Sequence, residues 1–168
     1  VGAMAAAAAA TGLLGGCGAT GDLYDDANGL NSVAEVKGVK MTVRSLYFSS
    51  SDSGNYYIAP KVAINNNGAT AVPIDPTKGS FEIWVNGKVK LNITADSMAR
   101  LSKQNDMTAI ATGKLNRGQP ASGYICAHGQ GATEFNYVYV IFYPNPDDKP
   151  TYLRCKISAK DAKHMLGV

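Results

Sequence analysis

The sequence predicts an all-β protein, an antiparallel β-sandwich of about seven to eight short strands with a short helix at its C-terminal end. Three observations carry this. Apolar residues alternate with polar ones at period two from about Val36 onward. The chain is rich in turn formers, with 18 Gly besides many Asn and Ser, which favours many short strands over long helices. No strand–helix–strand rhythm appears. The length of 168 residues suits one such domain plus an extra segment. At 45% hydrophobic and 17% charged residues the chain can build a core and is not a disordered polymer.

The strands read in order as follows. "VKMTV" sets Val39, Met41 and Val43 on one side and Lys40 and Thr42 on the other, whereas Leu46 and Phe48 fall on the opposite parity. That implies a bulge near Ser45 or a change of the sheet being faced. After the turn "SSSDSGN", "YYIAPKVAIN" keeps Tyr56, Ile58, Val62 and Ile64 in register, and Pro60 hints at an edge or bulge. "FEIWV" and "KVKLNIT" flank Asn86-Gly87, the strongest short hairpin signal. Residues 95 to 105 read as one helical turn or a loop. "MTAIATGKL", "ASGYICA", "NYVYVIFY" and "TYLRCKI" complete the strands, and "SAKDAKHML" offers Ser158 as N-cap and Asp161 at the capping-box position of a terminal helix.

The stretches "KVAINNNGATAVPIDPTKGSFEIWVNGK" and "KLNRGQPASGYICA" resemble a family of immunoglobulin-like domains of unknown function found in bacterial lipoproteins. In that family a strand ends in Asn-Asn, a Pro- and Asp-containing connection follows, and an apolar strand runs into a Gly turn. The resemblance covers residues 37 to 158 and implies an immunoglobulin-like sandwich, a fold shared with a secreted mycobacterial antigen. It departs from the family pattern at Cys126, where an aromatic is usual, and in a longer segment before "MTAIA". The family has no assigned catalytic residues, so the resemblance assigns none here.

Residues 1 to 16 carry no charge and are mostly Ala and Gly. They are too short and weakly apolar for a transmembrane helix, which needs about 20 apolar residues, and read as the truncated end of a signal peptide. The run closes on Leu14-Gly15-Gly16-Cys17, which resembles the bacterial lipobox. There, small residues admit the backbone to the signal peptidase and the thiol is acylated. The competing reading, a buried Cys in an Ala-rich helix, is opposed by two adjacent Gly at about 1 kcal/mol each. The Gly-, Asp- and Asn-rich residues 17 to 36 read as a lipidated Cys and a flexible tether, and the domain as residues 37 to 168.

Two cysteines remain. In an exported domain Cys126 and Cys155 are expected to pair, the alternative being two free buried thiols. His128 and His164 are the only histidines, and no second His or Met follows Cys126 at a copper-site spacing. No Gly-x-Ser-x-Gly is present, and Asp147-Asp148 sits in a Pro-rich turn. The chain is therefore read as no enzyme and as carrying neither cofactor nor metal. Its net charge of +3 is scattered, which speaks against a nucleic-acid partner. "NYVYVIFY" puts Tyr137, Tyr139 and Tyr143 on one face, either a recognition surface or a covered central strand. Trp84 either packs under a loop or stands out as a contact.

The expectation is a lipid-anchored extracytoplasmic protein of the bacterial cell envelope. Its partners would be the membrane, through the lipid, and a protein or envelope component bound without catalysis. The alternatives are an envelope metal- or small-ligand-binding protein, or a hydrolase inhibitor presenting residues 49 to 55 or 95 to 106 as a loop.

Overall fold

The computed structural model describes residues 23–50, 53–131 and 134–165. The signal segment and Cys17 lie outside them. The fold is an all-β sandwich of two sheets packed on one core, with one sheet further covered by a short helical segment.

Strands β1 (Leu23–Asn28), β2 (Val33–Val36), β3 (Val39–Ser50) and β4 (Asn55–Asn66) open the chain. After β5 (Val72–Ile74) come β6 (Phe81–Val85), β7 (Val89–Lys90) and helix α1 (Ala95–Ala99). Then follow β8 (Gly113–Leu115), β9 (Gln119–Tyr124), β10 (Ala127–Gln130), β11 (Tyr137–Phe142), β12 (Thr151–Ser158) and β13 (Lys163–His164). Sheet I runs β9-β4-β3-β13, with β10 also on β4 and β2 also on β3; sheet II runs β1-β12-β11-β6-β7; β5 and β8 form a small pair.

The strand count exceeds the expected seven to eight because several strands are only two to four residues long. Two pairings are also parallel, β1 on β12 and β13 on β3, so the sandwich is not purely antiparallel. The stretch expected as tether is strand from Leu23 onward. It binds through its backbone: Leu23 N–H donates to the Pro150 carbonyl at 2.9 Å and Gly29 N–H to that of Lys156 at 2.9 Å. Edge strands of this kind need few inward apolar side chains, and here Ala27 is the buried one. Leu23–Asn28 and Val33–Val36, expected as tether, are thus paired strands of the two sheets.

The parity switch in β3 is a bulge: the register with β4 shifts between Val43 and Ser45. The extra residue returns Leu46 and Phe48 to the core faced by Val39, Met41 and Val43. Opposite them sheet II contributes Phe81, Ile83, Val85, Val138, Val140, Phe142, Leu153, Cys155 and Ile157. The Asn86-Gly87 hairpin forms as expected, with φ of 54° and 67° at its two central residues.

Buried Asn66, at the end of β4, organises the long connection that follows. Its Nδ2 donates to the carbonyls of Thr70 at 2.9 Å and Leu115 at 2.8 Å, and its Oδ1 accepts from Gly68 N–H at 2.9 Å. A buried amide with these bonds fixes a loop that has few apolar contacts.

Within residues 95–105, Ala95–Ala99 form an α-helix. Thr94 and Ser97 form a reciprocal capping box, and a 3₁₀ turn continues over Arg100–Lys103. The segment lies on the outer face of sheet I: Ser97 Oγ donates to the Cys126 carbonyl at 2.7 Å, and Leu101 and Met107 pack with Tyr57, Ala59, Tyr124, Cys126 and Met165. The chain then pairs with β9, Ile110 N–H donating to the Tyr124 carbonyl at 3.0 Å. This approach needs a glycine at 123, where a Cβ would lie 2.5 Å from the Ile110 Cα. The expected C-terminal helix is reduced to a 3₁₀ turn, Ala159–Asp161. Ser158 does cap it, but Ala162 is extended and the chain runs on as β13, pairing beside β3.

Candidate interaction surface

Alternation along sheet II sends one set of side chains into the core and the other outward. The outward set contains Tyr137, Tyr139 and Ile141 of β11, Tyr152, Arg154 and Lys156 of β12, and Glu82 and Trp84 of β6. From β1 come Tyr24 and Asp26. Tyr143, just beyond β11, joins them through Glu82. The four residues singled out in the sequence, Tyr137, Tyr139, Tyr143 and Trp84, thus come together on one sheet face. Trp84 is half-buried there and Tyr143 is buried to 8% exposure.

The cations lie over the rings. The Arg154 guanidinium is 4.5 Å from the Tyr139 ring centre, Lys156 Nζ 4.3 Å from that of Tyr137, and Lys149 Nζ 4.2 Å from that of Tyr143. Arg154 also grips Asp26 with a fork, Nε to Oδ1 at 2.8 Å and Nη2 to Oδ2 at 3.0 Å, tying β1 to β12. Tyr24 stacks on Tyr152 with centroids 5.0 Å apart. An open depression of about 280 Å³ lies among Asp26, Asn28, Tyr139, Arg154 and Lys156. A larger groove of about 390 Å³ beside β8 and β9 offers Lys114 as its one charged side chain and no aromatic ring.

Glu82 organises the other half of the face. Its Oε1 accepts from Trp84 Nε1 at 3.0 Å and from Tyr143 Oη at 3.0 Å. Lys90 and Lys149 reach its Oε2 at 3.5 and 3.6 Å. Burial opposes the charge on Glu82, yet the two hydrogen bonds and the two lysines outweigh it and hold the carboxyl below its ordinary value. Burial, with the Glu82 charge and hydrogen bond, pushes the Tyr143 phenol upward. A carboxylate held ionised and fully occupied positions the rings beside it and is poorly suited to proton transfer. At the hairpin, Asn86 Oδ1 accepts from Asn136 N–H at 2.9 Å and Tyr137 N–H at 3.2 Å, and Tyr137 Oη donates to the Asn86 carbonyl at 3.0 Å. These bonds fix the Tyr137 end.

Arg154 and Lys156 were legible in the sequence, since they alternate with Leu153, Cys155 and Ile157 on the strand beside β11. Tyr24 and Asp26 were not, because their segment reads as tether. Tyr124 lies away from this face, under the helical segment on sheet I.

The expected Cys126–Cys155 bridge does not form; both thiols are free and buried. Cys155, on β12, faces the core between the sheets, whereas Cys126, between β9 and β10, faces the outer side of sheet I. Sheet I therefore separates them. Burial pushes each thiol up to about 12, so neither is a reactive thiolate near neutral pH. His128 Nε2 lies 2.8 Å from Asn55 Oδ1 and its ring packs on Tyr57, while His164 sits on β13. Among the described residues no three His, Cys, Asp or Glu side chains gather as a metal group. Residues 95 to 106, a candidate inhibitory loop, are instead committed to covering sheet I through Leu101.

No family model matches this chain, and no curated protein matches it. Solved structures do resemble it. A Bacillus subtilis "putative lipoprotein", ycdA, superposes with a TM-score of 0.54 at 12% identity, over 77% of this chain and 39% of its own. The present chain thus spans well under half of that protein. The yjhA protein of Bacillus subtilis gives 0.54 at 10% identity, over 78% of this chain and 99% of its own. The secreted Mycobacterium tuberculosis protein MPT63 gives 0.42 at 14% identity, over 75% and 83%. At such identities the likeness to the two Bacillus proteins is one of fold.

Proposed function

We propose that this protein is an extracytoplasmic lipoprotein, anchored through Cys17, whose sandwich binds a protein or envelope component without catalysis. The outer face of sheet II is its contact surface. One observation carries the reading: Tyr137, Tyr139, Tyr152 and Trp84 share a sheet face on which no other described segment lies, with Arg154 and Lys156 set over the rings. Tyr, Trp and Arg are the side chains that dominate recognition surfaces, since they offer area and directional donors at low entropic cost. The opposite sheet has its outer face occupied by the chain itself, which leaves sheet II as the available surface.

The test has two parts. The mature protein from its native membrane should have a mass that begins at Cys17 and includes a diacylglycerol, unchanged by reduction. The purified domain should be retained by isolated envelope material, and Tyr139→Ala with Arg154→Ala should abolish retention while His128→Ala leaves it intact. Retention unaffected by the double variant defeats the assignment of the face. Tight copper or zinc binding lost on His128→Ala defeats the binding-module reading in favour of a metal carrier.

A further inference from the structure

We infer that the sandwich stands on the membrane by one defined pole, where β1 begins and the 144–150 loop turns, and that this pole contacts the lipid surface itself. The inference rests on the Cys17 anchor proposed above and deepens it.

The first argument is reach. β1 begins at Leu23, only six residues after Cys17. Six residues span at most about 20 Å when fully extended. A lipid-bearing Cys17 therefore holds Leu23 close to the headgroups, whereas a tether running to residue 36 would have left the orientation free. Leu23 is paired with Thr151 and bonded to the Pro150 carbonyl, so the loop 144–150 is held at the same end. The turn Pro76–Lys78 joins it there, since Gly79 lies against Pro146 and Lys149.

The second argument is the surface at that pole. Leu23 and Tyr24 are 42% and 48% exposed, two of four large apolar side chains left out of the core among the described residues. They sit where the anchored segment enters. Tyr24 stacks on Tyr152, Tyr143 lies 6.2 Å beyond, and Lys149 covers Tyr143. Tyrosines with an adjacent lysine are the side chains that settle at a lipid–water boundary. Lys78 and Lys149 are outnumbered in the same two connections by Asp75, Asp147 and Asp148. The contact is thus made by Leu23, Tyr24 and Tyr152 rather than by net positive charge, and it is indifferent to anionic lipid. In this pose the opposite pole, with the Asn86-Gly87 turn, stands away from the bilayer by a strand length, about 26 Å for the eight residues of β12.

The experiment uses the full lipidated protein in phosphatidylcholine vesicles containing a nickel-chelating lipid. A nitroxide is attached at Asp147→Cys or at Lys88→Cys; Cys126 and Cys155 are buried, and unsubstituted protein serves as the unlabelled control. The expected result is relaxation by membrane-bound nickel more than about tenfold stronger at position 147 than at 88, given a pole separation of about 26 Å. The ratio should be unchanged when a third of the lipid is phosphatidylglycerol. Equal relaxation at both positions in a protein whose mass shows the diacylglycerol overturns this inference alone. A strong dependence on phosphatidylglycerol overturns the ring-mediated contact. A mass lacking the lipid overturns the anchor and this inference with it.

Discussion

The outer faces of the two sheets meet different fates. On sheet I the chain covers its own surface. Leu101, Met107 and Met165 close over Tyr57, Ala59, Tyr124 and Cys126, and Arg100 caps the Tyr57 ring at 4.9 Å. On sheet II the corresponding surface has tyrosines, an indole and paired charges, and none of the described segments crosses it. The difference teaches that period-two alternation marks which side chains share a face but not what the face meets. A strand whose second face is aromatic and neutral asks for a cover. One whose second face interleaves rings with Arg, Lys and Glu is stable against water and open to a partner.

The comparison is broken most forcefully at Leu101, which is 2% exposed. Leu101→Ala should destabilise the fold by about 2–5 kcal/mol, the range for a large-to-small change in a packed cluster. Denaturant unfolding should register it, together with new dye binding at the uncovered sheet I. Tyr139→Ala on sheet II should leave the unfolding midpoint nearly unchanged. Equal losses at both positions would mean that sheet II is also part of a packed layer.

A next effect is expected at the join between the cover and its sheet. Gly123→Ala places a Cβ against the Ile110 backbone, which has no flexible side-chain end to yield. The cost should be about 1–3 kcal/mol, typical of overpacking. Hydrogen exchange should show early opening at Ile110 and Tyr124, with the β11–β12 ladder still protected.

Smaller still, Asp26→Ala removes the fork to Arg154 on the exposed side. As a largely solvated pair it should contribute about 0.2–1 kcal/mol and fade with salt. A loss well above that range would make β1 a structural keystone rather than an edge.

The weakest effect is one that acid removes. The Glu82 carboxyl is held below its ordinary 4.5, so its contribution is fully present above that pH and is lost as the pH falls through the folded-state value. Glu82→Gln should lower stability modestly at neutral pH, where the carboxylate contribution is fully present, and flatten the decline below pH 4.5. Unfolding curves taken from pH 6 to pH 3 decide this, and an unaltered acid slope would remove Glu82 from its organising role.

Much of the architecture was legible because it is written in parity and turn chemistry. Leu46 and Phe48 announced the bulge, Asn86-Gly87 the hairpin, and Tyr137, Tyr139 and Tyr143 a shared face. What escaped depends on contacts made without side-chain pattern. β1 is held by main-chain hydrogen bonds to a parallel neighbour, so "LYDDAN" carries almost no strand signal. The cysteine pairing failed for a related reason. Alternation groups Cys155 with Leu153 and Ile157, but it cannot tell which side of which sheet Cys126 meets. The helical cover was ambiguous because its five-residue helix is set by the Thr94–Ser97 box and by docking, not by a long amphipathic period.

The edges of the sheets have a consequence for life in a crowd. One edge of β3 is occupied by β2 over residues 39–42 and by β13 at residues 47–48. Sheet II ends in β1, which carries Asp25 and Asp26, and in the two-residue β7 beside Lys88. Short, charged or already paired edges give a neighbouring molecule little to hydrogen-bond to. Many copies confined to one surface would meet edge to edge far more often than in solution. A chain that keeps its strand edges unreceptive can be packed densely there without zipping into sheets, and its tyrosine-bearing face stays free for something other than itself.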